Sequence, residues 1–222
     1  GEKYTSALDA YEAALEEAAR HLRYEHILGQ LRRLADEFEQ GAGRWFGSNV
    51  ASAIDTMELI LETAPLNPRA PEDQLRLGHL YRRNNDEEQA AAQYRIVARQ
   101  FPGRKQAQEA RFHLASMLLR RARYGDKDGS RHQEAKRLLR EYLDNAGEEA
   151  AYLEKAQALM QTIHEFEARR ILDKARFYTW APHRNPEAAR RYVSKLEEPP
   201  YRDTAAAAKA TEIEQRLKTG SS

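Results

Sequence analysis

Between Pro71 and Pro102 the sequence places Leu77-Gly78, Tyr81, Ala90, Tyr94 and Pro102 in an order that suits two closely crossed helices. Leu77 and Tyr81 are four residues apart, as are Ala90 and Tyr94, which is the spacing of one helix face. Gly78 and Ala90 are small, as a close crossing requires, while Leu77, Tyr81 and Tyr94 are large enough to fill the space around it. Pro102 has no N–H to continue a helix and so ends the second one. Between the halves, Asn84-Asn85-Asp86 offers residues that accept unusual backbone angles and cap the helix that follows. These spacings predict helices over 71–84 and 86–101, joined by a short turn.

Helical periodicity extends along the rest of the chain, as in Leu8, Tyr11, Leu15 and Ala18 or Ile27, Leu31, Leu34 and Phe38. Alternating runs of Val, Ile and Thr with polar residues do not occur, so the fold class is all-α. Breakers at Gly41-Ala42-Gly43, Pro65 to Pro71, Pro102-Gly103, Gly125 to Gly129, Pro182 to Pro186 and Pro199-Pro200 divide the periodic stretches. Helices are predicted at 3–20, 22–40, 48–63, 71–84, 86–101, 104–123, 131–145, 149–180, 185–198 and 203–218. The ruler of the central window also fits elsewhere: Ala53, Met57 and Pro65, then Ala135, Leu139 and Gly147, then Ala188, Tyr192 and Pro200, with Ala7 and Tyr11 earlier. First helices carry matching small residues, in Leu34-Ala35 with Phe38 and Leu114-Ala115 with Leu118.

The six positions of the central window resemble a tetratricopeptide repeat (TPR), whose length is 34 residues. The resemblance implies a right-handed TPR-type superhelix, an α-solenoid of about five helix-turn-helix pairs. It is expected as a single solenoid over 1–222, with a partial first repeat at 1–20, repeats at 22–65, 71–102, 104–147 and 149–200, and a capping helix at 203–218. The composition agrees. Charged residues make up 32% of the 222 and mean hydropathy is −0.86, yet 41% are hydrophobic, as suits repeats that bury themselves only against neighbours.

A narrower resemblance covers roughly 48–217, to the BamD family of periplasmic TPR lipoproteins of the outer-membrane β-barrel assembly machine. It is carried by the polar turn Gly125-Asp126-Lys127-Asp128-Gly129-Ser130-Arg131-His132, the long stretch Glu149 to Thr179 containing Ala175-Arg176-Phe177-Tyr178, and Ala188-Ala189-Arg190-Arg191-Tyr192 leading to Pro199-Pro200-Tyr201-Arg202-Asp203-Thr204. The resemblance implies a non-catalytic protein-protein interaction scaffold on the periplasmic face of the outer membrane, assisting outer-membrane protein assembly. Its expected partners are proteins or peptides, among them other assembly components. The family's lipid-modified cysteine is not in the sequence, so membrane association is expected only through an anchor outside it. The alternative is a generic TPR adaptor or co-chaperone with a different protein partner, in the cytoplasm; the Lys/Asn clamp of chaperone-binding TPRs is not reproduced.

Other classes find little support. Without cysteines there are no disulfides, thiolate zinc sites or cysteine nucleophiles. No stretch reaches the 18 apolar residues of a spanning helix. His21 and His26 are five apart rather than four, His164-Glu165-Phe166-Glu167 lacks a second histidine at Ala168, and the remaining helical histidines stand singly. Asp126, Asp128 and Glu134 depart from a calcium loop, and no phosphate loop or GxSxG elbow is present. The protein is therefore expected not to be an enzyme and to carry neither metal nor cofactor.

Charge is unevenly spread. Residues 1–70 hold 7 basic and 12 acidic side chains, and 71–147 hold 16 and 11, a change from −5 to +5. The basic excess is too modest, and too well countered upstream, to expect nucleic-acid binding. By the TPR resemblance, first helices line a concave groove, which assigns Leu75, His79, Arg82, Arg83, Phe112, Ser116 and Arg120 as candidate partner contacts. There the arginines would meet carboxylates and Leu75 and Phe112 apolar side chains. Trp45 and Phe46, beside glycines at a loop, are a second candidate contact, whereas Phe177, Tyr178 and Trp180 are expected to pack between helices.

Overall fold

The computed structural model describes residues 23–41, 49–125, 129–147, 150–180 and 182–219. The described residues form α-helices joined by turns, without strands: α1 (23–39), α2 (Val50–Thr63), α3 (Ala70–Arg83), α4 (Glu87–Gln100), α5 (Lys105–Ala122), α6 (Ser130–Asn145), α7 (Leu153–Phe177), α8 (Pro186–Glu197) and α9 (Ala205–Thr219). Most ends fall within two residues of the spacing-based expectation. The start of α7 is the main departure, because Ala150 to Tyr152 form a turn before it. The helix expected at 3–20 and the loop with Trp45 and Phe46 lie outside the described residues. The chain divides into two compact units, Gly1–Leu114 and Ala115–Ser222, with the boundary inside α5.

In the first unit, α3 packs on α2 and on α4. Gly78 is small for a reason that can be measured: a Cβ there would lie 2.7 Å from Cε1 and 2.9 Å from Cδ1 of Tyr94, whose ring is fully buried. Ala90 is likewise fully buried. The α3–α4 turn behaves as its residues suggest, with Asn85 at a φ of 60° and the Asp86 side chain accepting from the Gln89 N–H at 3.1 Å. A second core joins Leu28 and Ala35 of α1 to Ala53, Met57 and Ile60 of α2 and to Leu77 and Leu80 of α3. Buried within this unit, Arg32 of α1 grips Asp73 of α3 through both carboxylate oxygens, Nε to Oδ1 at 2.9 Å and Nη2 to Oδ2 at 2.7 Å. The α2–α3 loop is tied in by Asn67, which donates to Glu25 at 2.7 Å and accepts from the Arg69 N–H at 2.9 Å.

In the second unit α7 packs on α6, α8 and α9. It is long because different parts of it serve different neighbours. Its later residues Ala168, Leu172 and Ala175 meet Ala189, Val193 and Leu196 of α8 and Ala206, Ala210 and Ile213 of α9. The fully buried alanine of α8 is Ala189, and Ala188 is only half-buried, so this repeat sits one residue off the expected ruler. The buried stripe Ala189, Val193 and Leu196 keeps the helical period, with Tyr192 at its edge stacked on Tyr178. Glu165 accepts from the Ala205 N–H at 3.0 Å, a carboxylate at the start of α9 where helix donors are otherwise unmet.

Glu167 is the polar hub of this unit. It accepts from Lys136 Nζ of α6 at 2.6 Å, from the Gln133 amide at 3.2 Å and from the Tyr201 hydroxyl of the α8–α9 turn at 3.1 Å. Burial, the largest single effect, would raise its carboxyl, but the hydrogen bond and charge of Lys136 together with the hydrogen bonds from Tyr201 and Gln133 outweigh it and hold the group below the usual carboxylate range.

Two outcomes are expected. Gly78→Ala should cost about 1–3 kcal/mol in urea unfolding, since the buried Tyr94 ring has nowhere to move. Glu167→Ala should cost about 2–3 kcal/mol near neutral pH by stranding Lys136 and the Tyr201 hydroxyl. Because the folded carboxyl titrates lower than the unfolded one, its contribution is complete above the ordinary value of 4.5 and declines as pH falls below it. The gap between wild type and variant should therefore narrow in acid.

Candidate functional site

One face of α3 in the first unit presents His79, Arg82 and Arg83, three and four residues apart and so side by side. Opposite them stand Glu109 and His113 of α5, themselves four apart on one face. Gln106 of α5 donates to Glu72 of α3 at 3.1 Å, which helps hold the two helices in this register.

The structure sorts the expected groove residues into unequal groups. Leu75 and Phe112 are buried and leave little apolar surface for a partner. Arg83 is paired with Glu39 of α1, whose carboxylate also accepts from Arg76 Nε at 2.9 Å, and Arg76 reaches Asp36 at 2.6 Å. Arg111 is buried and points its guanidinium at the Ala98 and Pro102 carbonyls at the end of α4. Much of the basic excess of the middle of the chain is thus used on internal acceptors. Ser116 and Arg120 belong to the part of α5 in the second unit, half-buried and exposed respectively. The structure therefore brings together His79, Arg82 and, near them, Phe112.

What it assembles around them is a polar chain that spacing alone did not reveal. His79 Nδ1 lies 2.8 Å from the Tyr94 hydroxyl, and its Nε2 lies 3.3 Å from Glu109 Oε1. His113 Nε2 lies 3.4 Å from the same oxygen, and its Nδ1 lies 3.0 Å from Arg82 Nη1. The rings are packed as well: His79 meets His113 edge-on at 5.0 Å, and His113 stacks with Tyr94 at 5.5 Å. The guanidinium can only donate, so His113 Nδ1 accepts and the proton of the neutral ring sits on Nε2, on the Glu109 side of the ring but without a well-formed hydrogen bond to it. The adjoining imidazoles of His113 and His79 hold the Glu109 carboxyl well below its usual range, against the opposing effect of burial. Burial pushes His113 down, the positive charges of Arg82 and His79 add to this, and Glu109 opposes them.

His79, Glu109 and His113 offer three ligand atoms that all lie within 4.8 Å of one another. The sequence search tested pairs of histidines along one helix and missed a triad that needs two. The signal was present in another form. Glu109 and His113 are at i and i+4, and His79 precedes His113 by one 34-residue TPR length (113 − 79).

A second feature belongs to the second unit. Trp180 is 76% and Phe177 50% exposed at the end of α7, contrary to the expectation that they pack between helices; of the three aromatics there, Tyr178 alone joins the unit's core. The α7 helix ends at Phe177, so Trp180 falls in the following turn and not on a buried face. Phe177 stacks on His183 at 4.5 Å, and with Arg176, Trp180 and Pro182 they surround an open hollow of about 410 Å³. The metal-like turn at Asp126 and Asp128 lies outside the described residues.

Nitrogen-15 NMR of the ring nitrogens in metal-free protein should find His113 as the Nε2–H tautomer at neutral pH, and Arg82→Met should shift its Nδ1 resonance as the donor is lost. A ring protonated at Nδ1 in the metal-free wild type would contradict the assigned hydrogen bond from Arg82.

A comparison with curated proteins finds no match. The model of a family described as an outer membrane lipoprotein, YfiO, matches residues 33–219, from within α1 to the end of α9. With helices packed side by side along the described residues and a match over most of its length, the chain belongs to the YfiO family of outer-membrane lipoproteins.

Proposed function

We infer that the protein is a non-catalytic interaction scaffold at the periplasmic face of the outer membrane, where it assists the assembly of outer-membrane proteins. The observation that carries this is the family match across 33–219. Paired helices with a rigid buried seam suit such work, since they hold side chains at fixed places without needing to move them.

The aromatic hollow at the end of α7 is the better partner surface than the α3 face. Trp180 and Phe177 expose apolar area beside Arg176, and Trp and Arg are the residue types that most often dominate binding energy. On α3, by contrast, Arg83 is closely paired with Glu39, whereas the contact of Arg176 with Asp173 is long, at 3.8 Å, and exposed. The partner is accordingly a protein that inserts an apolar side chain between Phe177 and Trp180 and offers a carboxylate to Arg176.

Site-specific photo-crosslinking from position 180 of the full-length protein in cells should capture an outer-membrane assembly component. Capture of cytosolic proteins alone would overturn the envelope role. Trp180→Ala should weaken the captured complex by at least about tenfold, as an anchor worth roughly 2 kcal/mol implies. Unchanged affinity with an unchanged partner would move the contact elsewhere on the surface.

A further inference from the structure

We propose that His79, Glu109 and His113 form a binding site for a single zinc ion that fastens α3 to α5. Two imidazole nitrogens and a carboxylate oxygen are a ligand set that zinc favours, leaving a fourth position for water.

Distances are the first support. His79 Nε2 and His113 Nε2 stand 3.3 Å and 3.4 Å from Glu109 Oε1. Hydrogen bonds that involve a carboxylate usually close to about 2.7–2.9 Å. Zinc bonds of about 2.0–2.1 Å set at tetrahedral angles place ligand atoms roughly 3.3–3.4 Å apart. The two nitrogens are thus farther from the oxygen than a good hydrogen bond would hold them, and at the separation that an ion between them would impose.

Surroundings are the second. His113 is 9% exposed and packs edge-on against Phe112, while His79 at 28% and Glu109 at 35% leave an entry for the ion and room for its water. The Tyr94 hydroxyl, 2.8 Å from His79 Nδ1, can accept a hydrogen bond from an Nδ1–H and so leave the Nε2 lone pair to the metal. Tyr94 is itself fully buried against Gly78, so this outer contact is fixed by the helix crossing.

Arg82 sets the terms of binding at the other ring. With its guanidinium on Nδ1, His113 carries its proton on Nε2 and offers the metal no lone pair. Zinc therefore requires that proton to leave Nε2 and Nδ1 to be protonated, with Arg82 turned away. Arg82 is exposed and long enough to turn, so it acts as a competitor for the site and not as a wall. The ion and the guanidinium exclude each other at one imidazole.

The test uses the purified protein, stripped with a chelator and titrated with zinc by calorimetry, with cobalt as a visible probe of coordination. One zinc per chain is expected, together with a rise in melting temperature and the intense visible bands of four-coordinate cobalt. Glu109→Gln and His79→Gln, which keep size and hydrogen bonding if His113 variants fail to fold, should each weaken binding by at least about tenfold. Arg82→Met should tighten it, because the competing donor is gone. Absence of binding, binding indifferent to Glu109→Gln and His79→Gln, or binding weakened by Arg82→Met would each overturn the proposal.

Discussion

Much in the first unit depends on Tyr94 lying where a Cβ of residue 78 would be. Because Gly78 has none, the Tyr94 ring closes onto the α3 backbone, and the two helices approach as nearly as an aromatic ring allows. That approach has a chemical result as well as a packing one. The next residue along α3 is His79, and the depth of the ring sets the hydroxyl at 2.8 Å from its imidazole. From there contacts run through Glu109 and His113 to Arg82, so one missing methyl group fixes the orientation of an entire polar chain.

Several charges of α1 and α3 are spent on each other. Asp36 and Glu39 of α1 receive Arg76, and Glu39 receives Arg83 as well, so the acidic start and basic middle of the chain meet as ion pairs. Such half-exposed pairs add little stability each, and their effect is to remove arginines from the surface that a partner could use. The more enclosed pairs act differently. The buried Arg32–Asp73 pair, and to a lesser degree the part-buried Lys136–Glu167 pair, are costly to break because removal of one member leaves the other ionised and largely shielded from water.

The helix pairs were legible because they rest on local rules. Gly78, Ala90, Asn85 and Asp86 each do what their residue type does best, and the helical period of α1 to α9 needs no knowledge of what they touch. The polar triad was not legible in the same way. Glu109 and His113 announce only a shared helix face, and His79 joins them solely because α3 and α5 lie side by side. Burial was similarly hidden for Leu75 and Phe112, whose places in a repeat do not say which neighbour covers them. Trp180 failed in the opposite direction: aromatic character suggested core, and the end of α7 at Phe177 left it outside. The offset of one residue in α8 shows the limit of a fixed ruler, since burial follows the helical period from Ala189 rather than the count from the previous repeat.

The double grip of Arg32 on Asp73 has a mechanical meaning. A helix held to its neighbour only by apolar side chains can creep by fractions of a turn, trading one loose contact for another. With two hydrogen bonds fixed in one plane and both ions shielded from water, any sliding of α1 past α3 strips both charges before a new position is reached. Between those two helices a pull is therefore passed on as displacement of the pair and not absorbed as slippage, up to the point where the contact gives way at once.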